Sequence, residues 1–102
     1  MLTFNMLPGD DVWVGPRNAP LTEWTQLILH KVVGRILTIM TDDTALDLDL
    51  NDRYRKVPLG QYGTNLMAQD NPRVEGEITI GIDAPDHIGI LRGRVYRRNL
   101  VE

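Results

Sequence analysis

Four arginines crowd the C-terminal part of the chain: Arg92, Arg94, Arg97 and Arg98. A guanidinium keeps its charge at any physiological pH and offers a planar fork of donors. Such a cluster therefore suits a phosphate, a carboxylate or the acceptor edge of a base. Asp42, Asp43, Asp47, Asp49 and Asp52 form an acidic stretch in the middle of the chain. Asp47 and Asp49 are two residues apart, which on a strand puts both carboxyl groups on one face and invites general acid–base chemistry. That chemistry needs companions. The sequence offers them no nucleophile, no histidine base, no cofactor fingerprint and no phosphate-cradling glycine loop. A solvated strand face is the simpler reading, and no enzyme is expected. His30 and His87 have no second histidine at metal-ligand spacing, and the chain has no cysteine. Neither a metal site, a cofactor nor a disulfide is expected.

The elements that must position these residues read mainly as strands. Leu46-Asp47-Leu48-Asp49-Leu50 alternates strictly, which turns the leucines to a core and the aspartates to water. Residues 35–40, a polar loop at 41–44 and residues 45–50 predict a hairpin. Ile78-Thr79-Ile80-Gly81-Ile82 alternates in the same way. After a turn at Asp83-Ala84-Pro85-Asp86, so does Ile88-Gly89-Ile90-Leu91-Arg92. Val12-Trp13-Val14, bracketed by Gly9 and Gly15, is a further short strand. Residues 18–31 fit a helix capped by Asn18 with Pro20 in its first turn, but residues 26–33 are equally an apolar run of strand length. Residues 53–73 hold Pro58, Gly60, Gly63 and Pro72 and read as a long peripheral loop.

Residues 79–98, TIGIDAPDHIGILRGRVYRR, resemble the closing strands of the carbon storage regulator family (CsrA, also called RsmA). The resemblance rests on Ile80-Gly81-Ile82-Asp83-Ala84-Pro85, followed by Ile88, Ile90, Arg92 and Val95. Arg94 stands where the family usually has glutamate. The family's opening hairpin can be placed in two registers. In the preferred one, Met1, Leu2, Gly9, Asp10, Val12, Val14 and Gly15 fit, but Met6 and Leu7 replace a basic pair. In the other, residues 27–39 fit, with Gly34 at the turn and Lys31 in one basic position.

The resemblance implies a mostly β, small antiparallel sheet protein with a short C-terminal helix. It further implies a single domain over residues 1–102, with insertions around 16–35 and 53–73, assembled as a strand-exchanged homodimer. By the same resemblance it is a post-transcriptional regulator that binds GGA-type elements of single-stranded or hairpin-loop RNA. The site would join the first strand of one subunit to the last strand of the other. The residues implied are Arg92, Leu91, Ile90, Phe4, Arg94 and Lys31, and a protein antagonist is a further expected partner. The alternative is a module of the same fold that has lost RNA binding and serves protein interaction or a structural role.

Composition bounds both readings. A chain of 102 residues that is 42% hydrophobic and 25% charged is long enough for one folded domain. No apolar run reaches the ~20 residues of a membrane span, and the opening lacks a basic leader. A cytoplasmic protein without a membrane partner is expected. The net charge of −3 is unhelpful to an RNA binder, so the local arginine cluster must supply the attraction.

Overall fold

A computed structural model describes residues 1–52, 55–59, 63–70, 74 and 76–100. Along them run β1 (Leu2–Met6), β2 (Asp11–Pro16), β3 (Thr25–Val33), β4 (Ile36–Met40), β5 (Ala45–Asp49), β6 (Val57–Pro58), β7 (Asn65–Asp70), β8 (Ile78–Asp83), β9 (Ile88–Arg92) and α1 (Gly93–Leu100). A single 3-10 turn at Leu21–Glu23 precedes β3. The protein is mostly β, with two antiparallel sheets and one C-terminal helix. The first sheet has the order β1-β8-β7-β6 and the second β5-β4-β3-β2-β9.

Each sheet turns its alternating apolar residues toward the other. Phe4, Met6, Leu66, Ala68, Ile78, Ile80 and Ile82 from the first meet Val12, Val14, Leu27, Leu29, Leu37, Ile39, Leu48 and Ile88 from the second. Burying a Leu or Ile side chain fully contributes ~1.5–3 kcal/mol, so this shared layer is what holds the two sheets together. The Cα radius of gyration of 13.2 Å is that of one compact domain, about 13 Å at this length.

The hairpin expected at residues 35–50 is present. Met40 pairs with Ala45, and the loop is closed by Thr41 N–H donating to Thr44 O at 2.8 Å. Leu48 and Leu50 are buried while Asp47 is exposed, as the alternation predicts. The open choice at residues 18–33 resolves as a strand. Leu27 and Leu29 face the core from β3, and the apolar run continues into a turn at Gly34, whose φ of 61° suits glycine.

Three expectations are corrected. Residues 1–15 do not form a hairpin: β1 pairs with β8, whereas β2 pairs with β3 and β9. The connection at residues 7–10 is an arch between sheets, held by Leu7 N–H donating to Asp10 Oδ2 at 2.9 Å and Asp10 N–H donating to Leu7 O at 2.9 Å. The turn between β8 and β9 is likewise an arch, so the final strand pair is split between the sheets. The stretch at 53–73 is not a peripheral loop where it is described. β7 lies between β8 and β6, with Leu66 and Ala68 in the core. Among its described side chains Leu66 and Ala68 are the buried ones, too weak an apolar pattern to outweigh the flanking prolines and glycines. Residues 53, 54, 60–62 and 71–73 of that stretch lie outside the described residues.

The helix lies on the outer face of the second sheet. The Tyr96 ring stacks on Trp13 of β2 with centroids 3.8 Å apart and planes 1° from parallel. The Tyr96 hydroxyl donates to Leu21 O at 2.6 Å, tying α1 to the 3-10 turn. Beside it the buried Trp24 ring covers Gly15 and Gly89, which pair across β2 and β9, and its Nε1–H donates to Pro16 O at 3.1 Å. Among the described residues no helix is long and apolar enough to cross a membrane.

Candidate functional site

β1 and β9 are the end strands of their respective sheets, so each leaves one backbone edge unpaired by a neighbouring strand. Because β1 pairs with β8 in one sheet and β2 with β9 in the other, β1 and β9 fall on the same side of the molecule. Arg92, the last residue of β9, lays its guanidinium over the Phe4 ring of β1, with Cζ 5.0 Å from the ring centroid. The cation is attracted to the ring's negative face, and the apolar ring is covered in return. Phe4 is 9% exposed and otherwise belongs to the core.

A cleft adjoins this contact. Asn5 and Met6 of β1, Asp10, Asp11 and Val12, and Arg92, Gly93, Arg94 and Arg97 line it. Arg92 and Arg94 supply donors, and Asn5 and Asp10 carry acceptor oxygens that also take bonds from Thr79 and from Leu7 N–H. Such a mixed lining suits a ligand that presents both kinds of group, as a nucleobase edge does, better than a bare anion.

Asp11 organises the C-terminal side. Its carboxylate accepts from Trp13 Nε1 at 3.0 Å, Gln26 Nε2 at 2.8 Å, and the two terminal nitrogens of Arg97 at 2.8 and 3.2 Å. Burial alone would push the Asp11 carboxyl up, but the donors from Arg97, Gln26 and Trp13 outweigh it and hold the group below the ordinary carboxylate range. Asp11 in turn raises the Arg97 guanidinium. A side chain at Gly93 would collide with the Asp11 carboxylate, so the first residue of α1 must be glycine for this pair to form.

Of the residues singled out in the sequence, Arg92 and Arg94 line the cleft, and Phe4 meets Arg92 beside it. Ile90 is partly buried against the core, and Leu91 is half-buried opposite Trp13. Lys31 lies on β3 opposite Thr38 and does not line the cleft. Met6, at a position where the resemblance implies a basic residue, is only 3% exposed and belongs to the core. The Asp47 carboxylate accepts from Thr38 Oγ1 at 2.8 Å, and Asp49 Oδ1 accepts from Asn51 N–H at 2.9 Å, which are strand and turn bonds. Asn5, Asp10, Asp11 and Gly93 were not foreseen. Gly93 was the legible signal, since a glycine opening an arginine-rich helix marks a close approach.

No family model matches the chain, and no curated protein or solved structure matches it.

Proposed function

We propose that the protein binds single-stranded or hairpin-loop RNA in the cleft between β1 and β9, as a cytoplasmic post-transcriptional regulator of the carbon storage regulator type. The observation that carries the reading is the Arg92–Phe4 contact, which brings the last strand onto the first. The resemblance implies RNA recognition by those two strands. Unstacked bases expose their edges in loops, where an open strand edge can hydrogen-bond them and an arginine can add a bidentate contact.

Within this proposal one chain suffices for a site, because β1 and β9 meet in cis. The homodimer implied by the resemblance would arise by passing β8, β9 and α1 to a second chain, which reproduces the same pairings and gives one site per chain. Titration of a GGA-loop hairpin against the same hairpin with the triplet replaced tests the reading. Preferential binding at one RNA per chain is expected, with Arg92→Ala weakening it by about tenfold or more, the range of a lost charge-assisted contact. Equal affinity for both hairpins would overturn it.

The second reading, a protein-interaction module of the same fold without RNA binding, is favoured by the buried Met6 and by the two aspartates at the cleft. A folded protein that binds neither hairpin is its expected outcome.

A further inference from the structure

Arg97 lines the cleft with a guanidinium whose side chain is 58% exposed, yet both its terminal nitrogens are held by one carboxylate, that of Asp11. Two parallel bonds from an arginine fork to two oxygens are the geometry by which arginine also takes a phosphate. The Asp11 side chain is only 8% exposed and is fixed further by Trp13 and Gln26. The carboxylate is thus anchored while the arginine is the solvent-facing partner. The helix has holds besides this pair, the Trp13–Tyr96 stack and the Tyr96 bond to Leu21 O.

We infer that Arg97 is a latent phosphate-binding residue of the cleft and that Asp11 is the internal anion that masks it. The inference rests on the RNA reading and adds a regulation to it. With Arg97 neutralised, the cations left to the cleft are Arg92 and Arg94, beside Asp10 and Asn5. Attraction to the phosphate backbone, which every RNA shares, is thereby reduced, and contacts to base edges account for more of the binding. Gly93 is part of the device, because any side chain there would exclude the masking carboxylate.

Removing a negative charge should then strengthen binding, whereas the loss of a merely structural contact would weaken it. Asp11→Asn keeps the side-chain shape and releases Arg97. It is expected to tighten the GGA hairpin and its control alike, by about threefold at low salt. It should also steepen the logarithmic salt dependence by about 0.7, the value of one added single-strand phosphate contact. Asp11→Glu, which retains the mask, should show neither change. Combining Arg97→Ala with Asp11→Asn should abolish the gain, because the released guanidinium is then absent.

A second arm is free of RNA. Inorganic phosphate, followed by the NMR signal of the Arg97 side-chain Nε–H, should shift that signal in Asp11→Asn at concentrations that leave the parent unmoved. If the parent ignores both hairpins while this phosphate response appears, the RNA reading fails and the latent site stands. If the parent binds the GGA hairpin but Asp11→Asn, still folded by circular dichroism, gains nothing and shows no phosphate response, the latent site is overturned. If Asp11→Asn does not fold, Asp11→Ala takes its place under the same two readouts: tighter hairpin binding with a phosphate response supports the mask, and a folded variant showing neither refutes it.

Discussion

The outer faces of the two sheets use one device with different partners. On the second sheet, Gly15 and Gly89 sit side by side beneath the rigid Trp24 ring, and α1 covers the neighbouring strand through Trp13 and Tyr96. On the first sheet, Gly81 sits beneath the side chain of Met1, a flexible thioether that is itself 68% exposed. A glycine under an indole is fixed by the ring's shape, whereas one under a methionine has a cover that can move aside. The second sheet is therefore locked from outside by a ring and a helix as well as from the core, while the described outer contacts of the first are the movable Met1 cover and the exposed Thr79–Asn5 and Lys56–Asp83 bonds.

Four substitutions sharpen that contrast, and the largest effect belongs to the less protected sheet. Leu66→Ala removes a fully buried side chain from β7 and is expected to cost ~2–5 kcal/mol in urea denaturation. A peripheral strand would lose far less. Gly15→Ala sets a Cβ against the Trp24 ring and should cost ~1–3 kcal/mol. In a Trp24→Ala background the same substitution should cost less, since the clash is with the ring.

Asp11→Ala comes next, at ~1–2 kcal/mol at neutral pH, because it strips an acceptor from Trp13 and Gln26. Its effect should depend on pH with a definite sign. The Asp11 carboxyl is held below its ordinary range in the folded protein. The stabilisation is thus fully present above that range and is lost as pH falls through the folded value. The stabilities of parent and variant should converge on acidification, and a gap that widened toward low pH would contradict the assignment. Gly81→Ala should be the mildest, under ~0.5 kcal/mol, because only the Met1 thioether stands in the way. If Gly81→Ala cost as much as Gly15→Ala, the two faces would not differ as described.

Much of this architecture was legible in the alternation of apolar residues, which marks buried faces directly. The alternation of Leu46 to Leu50 and of Ile78 to Ile82 predicts strands; β5 covers the first up to Asp49, with Leu50 in the turn beyond it, and β8 covers the second. Pairing was not legible, because a short polar turn serves equally for a hairpin within one sheet and an arch between two. The connections at residues 7–10 and 84–87 look like hairpin turns in sequence and are arches in the fold. β7 is not legible because its apolar run, Leu66-Met67-Ala68, is three residues long and does not alternate. At the cleft, the arginines stood out by type. Asp11 could not, since its importance comes from Arg97, eighty-six positions away.

The placement of the aromatic rings has an optical consequence. The chain has two tryptophans, and both are tied to the outside of the second sheet, Trp13 against Tyr96 and Trp24 over Gly15 and Gly89. Tryptophan emission, excited selectively over tyrosine, therefore reports on the outer face of the second sheet. Loosening of the β1-β8-β7-β6 sheet would leave the emission unchanged while altering the far-ultraviolet dichroism. Coincident melting by the two signals would mark a single cooperative unit. A dichroic change that precedes the fluorescent one would reveal a protein that frays from its unguarded side.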